Sequence, residues 1–197
     1  MTKTEKLNDL IKLSNGYLYI ADAEKLGISK VYIREYVLVN NLERVAHGLY
    51  KSSDVWTDDL YILTFNNKKA VYSFDTALML NGLTEREPSE IFVTVSRSYN
   101  ASHLRSKGII VNYVKDEWLD LGRTVAKTVY GNKVSVYDME RTICDIIRVR
   151  DKKDPQMFAY AIKEYAKSAN KNLPRLMKYA KEFGVEAELR KYMEVLL

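Results

Sequence analysis

The chain is poor in the residues that mark several large functional classes. It has one cysteine, Cys144, in 197 residues, which excludes a disulfide framework and suits a reducing compartment. Its two histidines, His47 and His103, are far apart in sequence, and neither lies near a cysteine or a tight carboxylate cluster. Zinc-ligand spacing is absent, and so is a Ser-His-Asp set. Neither a GxxxxGK phosphate loop nor a GxGxxG fingerprint occurs. Asp116-Glu117 with Asp120 is the nearest approach to a cation cluster, and it reads as a surface turn. The sequence therefore points to no cofactor, no metal and no catalytic residue. No apolar run approaches the length needed to span a bilayer. The first thirteen residues mix Lys, Glu, Asp and Asn with scattered Leu and Ile, unlike a signal peptide. The expectation is a cytoplasmic protein without a membrane partner.

What is present fits a folded protein. Apolar residues make up 47% and charged residues 29%, with signs interleaved, which argues against disorder. The length suits one large domain or two small ones. A net charge of +5 permits an acidic partner. Residues 1–53 carry eight Lys/Arg against six Asp/Glu, and residues 54–100 carry four against seven. The rest of the chain is basic, with eleven against eight in residues 101–154 and eight against five in residues 155–197. Contact with RNA or DNA is thus open for the C-terminal half as well.

The first fifty residues carry the clearest pattern. Leu7, Leu10, Ile11 and Ser14 share a helical spacing over 4–14, and Asn15-Gly16 stops that helix. Tyr17 to Ile20 is a short β-like run. Asp22 caps a brief helix through Leu26, which Gly27 ends, and Ser29 caps another over 30–40. Ile33 and Val37 face inward; Lys30, Arg34 and Tyr32 face outward. Residues 42–46 and 49–52 form a hairpin with His47-Gly48 at its tip and Arg44 and Lys51 on its arms. Helix, turn, helix and basic hairpin predict a winged helix-turn-helix over 1–53. Arg34 would bridge a guanine edge, Lys30 or Ser29 would hold a phosphate, and Arg44 and Lys51 would meet the backbone. The plainer alternative is a three-helix cap with a solvated charged face.

Charge and pattern change near 53–57, which sets a second domain over 54–197. Helices are expected over 57–67 and 73–81, and strands over 90–96 and 109–114. Strands over 123–130 and 133–137 flank the turn signal Gly131-Asn132. Helices then follow over 138–149, from Asp154-Pro155 onward, over 173–183, and at the end with Leu189, Tyr192, Met193 and Leu196 on the apolar face. The fold class is α+β: a winged helix-turn-helix, then a mixed α/β domain ending in a helical cluster.

One string stands out there: Asp138-Met139-Glu140-Arg141-Thr142-Ile143-Cys144-Asp145. Spacing puts Arg141, Asp145 and Arg148 on one helix side, apart from Met139, Ile143 and Ile147. The plain reading is a solvated ladder of ion pairs with Asp138 as N-cap. The functional reading is an Arg-and-carboxylate surface that meets a partner or nucleic acid. Cys144, between isoleucines, reads as a buried small side chain.

Two stretches resemble a known family. The run from Tyr17 through Lys51, with Leu26-Gly27-Ile28-Ser29, Leu42-Glu43-Arg44-Val45 and His47-Gly48-Leu49-Tyr50, resembles the N-terminal winged helix of the AbiEi family antitoxins. The Asp138–Asp145 string resembles the signature of that family's C-terminal domain. The resemblance implies a type IV toxin–antitoxin system linked to abortive phage infection. It implies that the winged helix represses its own operon by binding inverted repeats in double-stranded operator DNA. It also implies that the C-terminal domain opposes a nucleotidyltransferase toxin without a stable complex. Carried over by position, Ser29, Lys30, Tyr32, Arg34, Arg44 and Lys51, with His47 at the wing tip, would touch DNA. Asp138, Glu140, Arg141, Thr142 and Asp145 would belong to the antitoxin domain. The chain would act as a monomer or as an oligomer assembled on DNA. Two other functions fit the residues: an enzyme, directed by nucleic acid, that reverses a nucleotide modification, and a one-component repressor that senses a small ligand.

Overall fold

Thr2 starts the first helix with a reciprocal pair of bonds: its Oγ1 accepts from the Glu5 backbone at 3.2 Å, and Glu5 Oε2 accepts from the Thr2 backbone at 2.7 Å. Such a box satisfies two otherwise orphaned donors. The computed structural model describes residues 1–196, with side chains through Glu194. The Leu196 side chain, expected on the last helix's apolar face, lies outside the described residues. The chain divides into two compact units. The first is Met1–Asn67 with Lys127–Lys133, and the second is Lys68–Ala126 with everything from Val134 onward.

The first unit runs α1 (Lys3–Leu13), β1 (Tyr17–Tyr19), α2 (Ile20–Lys25), α3 (Lys30–Val39), β2 (Glu43–Ala46), β3 (Leu49–Lys51) and α4 (Asp59–Asn66). Its antiparallel sheet has the order β1-β3-β2, with Leu18 opposite Tyr50 and Arg44 opposite Tyr50 on the other side. The register slips between Arg44 and Ala46, at the tip that Gly48 turns with φ +73°. Leu7, Leu18, Ala23, Ile28, Ile33, Tyr36 and Val37 form one apolar cluster. Ile33 and Val37 thus point inward, as their four-residue spacing requires.

This unit extends past residue 53, for a reason invisible to a pattern search. Tyr17 Oη accepts from the Asp58 backbone at 2.8 Å. Tyr17 meets Tyr61 edge-on at 5.0 Å, and Tyr19 meets Phe65 edge-on at 4.8 Å. Aromatic side chains of β1 therefore hold α4 to the unit. Asp58 also clasps the distant segment: its Oδ2 accepts from Thr128 Oγ1 at 2.5 Å and from Asn132 Nδ2 at 2.8 Å.

The second unit is α+β. It contains β4 (Val71–Tyr72), α5 (Phe74–Leu80), β5 (Phe92–Ser96), α6 (Ser102–Arg105), β6 (Ile110–Val114) and α7 (Asp116–Leu119). β7 (Arg123–Lys127), β8 (Lys133–Tyr137) and α8 (Met139–Arg148) follow, then a 3-10 turn at Arg150–Lys152. α9 (Pro155–Lys167), α10 (Leu173–Glu182) and α11 (Glu186–Leu196) complete it. The mixed sheet has the order β6-β5-β4-β8-β7, with β5 parallel to β6, β4 antiparallel to β5, and β4 parallel to β8. The central strand, β4, is two residues long and escapes a period-two reading. Thr128–Asn132, expected partly as strand, is the loop between β7 and β8. Helix α8 lies at the centre of a core shared by α5, α9, α10 and α11, with Ile143, Cys144, Ile146 and Ile147 buried.

Candidate functional site

Helix α3 starts at Ser29, whose Oγ accepts from the Tyr32 backbone at 3.4 Å. Its inward residues fix the direction of the others. Lys30 and Arg34, one turn apart, face a cleft of about 590 Å³ between α3 and the β2–β3 tip. Arg44 and His47 line the opposite wall, with Tyr19, Glu24 and Tyr50 also on the lining. Arg44 Nη2 lies 3.4 Å from His47 Nδ1, and Arg44 Nε donates to the Ala46 carbonyl at 3.4 Å. Lys30 pairs with Glu24 at 3.5 Å; both groups are exposed, so the pair holds Lys30 only loosely. Four groups expected on DNA thus converge on one concave surface: Lys30, Arg34, Arg44 and His47.

Three others do not. Lys51, expected on a phosphate, is 5% exposed. Its Nζ pairs with Glu43 at 2.9 Å and donates to the carbonyls of Val55 at 3.1 Å and Ser52 at 3.4 Å. The reason lies in the alternation of β3: Lys51 shares a fully buried side with Leu49, while Tyr50, on the other side, is half-buried against the apolar cluster. Tyr32 is half-buried against the core, its hydroxyl 2.7 Å from Thr4 Oγ1 and its ring beneath Lys3. Ser29 is engaged as the cap of α3.

The Asp138–Asp145 string requires a larger correction. It is neither a solvated ladder nor a surface for a partner. Glu140, Arg141, Thr142 and Asp145 are all buried, Arg141 completely at 0% exposure. Arg141 Nε donates to Asp145 Oδ2 at 2.9 Å, and its Nη1 donates to the carbonyls of Trp118 at 2.9 Å and Leu121 at 2.8 Å. Its guanidinium lies 4.2 Å from the ring centres of both Tyr137 and Phe183. Nη2, beside those rings, has no hydrogen-bond partner among the described residues. Glu140 Oε1 accepts from Tyr165 Oη at 3.1 Å and from the Asn172 backbone at 2.8 Å. Thr142 Oγ1 donates to the Asp138 carbonyl at 2.7 Å. Asp138 Oδ1 caps α8 by accepting from the Arg141 backbone at 2.8 Å, and Arg175 lies 3.6 Å from its other oxygen.

Electrostatics follow from this burial. Desolvation pushes the Asp145 carboxyl above its usual range, opposed by the Arg141 guanidinium. Desolvation likewise raises Asp138, opposed by its bond from the Arg141 backbone. The Cys144 thiol is pushed far up by burial, so it is held as a thiol. The string ties α8 to α7, α9 and α10; spacing shows a polar helix side but not the neighbours that cover it.

No family model matches the chain, and no curated protein matches it. The crystal structure of RV2827C protein from Mycobacterium tuberculosis is similar to it at 11% identity and a TM-score of 0.55. The match covers 95% of this chain and 79% of that one. The likeness is one of fold.

Sequence reasoning missed the Asp58 clasp and the covering partners of α8, namely Trp118, Tyr165, Asn172 and Arg175. Asp58 is visible in sequence as an N-cap, three residues before Tyr61, whose backbone N–H it accepts at 3.0 Å. Its bonds to Thr128 and Asn132 span seventy or more positions and leave no local signal. Among the described residues no three metal-type ligands gather. Glu117 and Asp120 pair instead with Lys115 at 3.4 Å and Arg123 at 3.1 Å.

Proposed function

We propose that the first unit is a winged helix-turn-helix that binds double-stranded operator DNA, and that the chain is an autorepressing antitoxin of a type IV toxin–antitoxin system. The observation that carries the DNA reading is the convergence of Lys30, Arg34, Arg44 and His47 on one cleft between α3 and the hairpin. In this reading α3 enters a major groove, with Arg34 directed to base edges, while Arg44 and His47 brace on flanking phosphates. Lys30 exchanges Glu24 for a phosphate. Each cation that neutralises a phosphate releases counterions, so affinity falls steeply with salt.

The antitoxin half rests on the resemblance of the Asp138–Asp145 string to the family signature. Given its burial, the string acts by holding α8 within its helical cluster. The surface that opposes a nucleotidyltransferase toxin is then built from residues outside it.

The test uses the full-length chain and a duplex selected from a random pool. The slope of log affinity against log salt is measured for the wild type, Arg34→Ala and Arg44→Ala. Loss of a phosphate contact lowers the slope by about one; loss of a base contact lowers affinity and relaxes sequence preference. Wild-type affinity, slope and preference in both variants would remove the cleft from DNA binding. Growth rescue on co-expression with a nucleotidyltransferase encoded beside this chain tests the antitoxin half.

A further inference from the structure

The outermost line of α3 is not basic. Ile33, Tyr36 and Val37 face the core. At about 100° per residue, Val31, Glu35 and Leu38 lie on the opposite side. Val31 is 78% exposed and Leu38 is 69% exposed, unusual positions for two branched apolar side chains on a short polar-faced helix. The cations Lys30 and Arg34 lie beside this crest, toward the cleft.

We propose that Val31 and Leu38 are specificity-determining residues that contact thymine 5-methyl groups in the major groove. This rests on the DNA reading above and goes beyond it by naming which base feature is read. Charge complementarity selects the occupant. Lys30, Arg34, Arg44 and His47 flank the crest on its cleft side and draw it toward a polyanion. Glu35, on the crest itself, repels phosphates but accepts from base amino groups, so the crest meets base edges and not the backbone. In a major groove the apolar feature available is the thymine methyl. Val31 and Leu38 are separated by about 10 Å along the helix axis, which matches about three base steps of one strand.

The test compares the full chain on a selected duplex and on the same duplex with deoxyuridine in place of thymidine, which removes only the methyls. Burying one methyl is worth about four-fold in affinity, so uracil at two contacted positions weakens wild-type binding by about fifteen-fold. Val31→Ala/Leu38→Ala, changed at exposed positions, binds the thymine duplex more weakly and loses most of the uracil penalty. A salt-sensitive duplex bound equally with thymine or uracil would overturn this inference and leave the DNA reading intact. An undiminished uracil penalty in the double variant would also overturn it. Failure to select any duplex would overturn both. Self-association of the full chain in DNA-free solution, abolished by the double variant, would assign the crest to a second copy and overturn it too.

Discussion

Replacing Arg141 with Met removes the hub of the buried network around α8. The change deletes the bond to Asp145 and the two donated to the Trp118 and Leu121 carbonyls. It also withdraws the cation from between the Tyr137 and Phe183 rings. Met fills much of the same volume, so the cavity term is small. The cost comes from groups left behind. Asp145 remains buried with only Arg148, 3.6 Å away, as a cationic partner, and two carbonyls lose their donor. Removing one member of a buried pair costs about 3–5 kcal/mol. With a urea slope of about 2 kcal/mol per molar, the midpoint falls by about 2 M. Urea unfolding of the full chain, followed by Trp118 fluorescence in a Trp56→Phe background, measures it. Trp118 meets Phe183 edge-on at 5.1 Å and reports on this network, whereas Trp56 is exposed. Asp145→Leu alone should cost a similar amount, by stranding the guanidinium. The double variant should lose no more than either single change, because no unpaired charge remains. A loss below about 1 kcal/mol for Arg141→Met, or additive single losses, would refute the description of this network.

Lys51→Met should lower thermal stability by about 1–3 kcal/mol, through three lost polar contacts, while leaving the salt slope of DNA binding unchanged. A slope reduced by one with unchanged melting would place Lys51 on a phosphate after all. The alkaline limit is set by buried tyrosines. Burial raises Tyr179 to about 12 from the ordinary 10.0, and Tyr137 and Tyr165 are raised further. Unfolded tyrosines release protons near pH 10 while these three retain theirs, so stability is intact below that and falls as pH rises toward the folded values. Tyrosinate absorbance from these residues should therefore develop together with loss of helical circular dichroism. Full ionisation at intact helicity would contradict their burial.

Much of the first unit was legible because its signals are local. The cap at Ser29, stops at Asn15-Gly16 and Gly27, and the hairpin tip at Gly48 all act within a few residues, as does the Asp138 cap in the second unit. The inward placement of Ile33 and Val37 and the outward placement of Lys30 and Arg34 follow from helical spacing alone. Lys51 was misplaced because a charged strand residue was assumed to face solvent; the alternation with Leu49 and Tyr50 carried the opposite message. The Asp138–Asp145 string misled for a different reason. Interleaved charges on a helix resemble a solvated face, and only long-range packing by Trp118, Tyr165, Phe183 and Arg175 reveals that they are covered. The two-residue strand β4 leaves no periodic trace, and the topology it centres could not be ordered from the sequence.

The bonds from Asp58 to Thr128 and Asn132 bear on any attempt to transplant the amino-terminal unit. A continuous cassette cut after Asn67 would leave Lys127–Lys133 behind and take two hydrogen-bond donors from the Asp58 carboxylate. Chimaeras that swap this unit between proteins therefore need a discontinuous graft, or a surrogate amide and hydroxyl supplied to Asp58. Recombination between genes would meet the same obstacle, since a single crossover that carries the whole clasp also carries Lys68–Ala126 of the second unit.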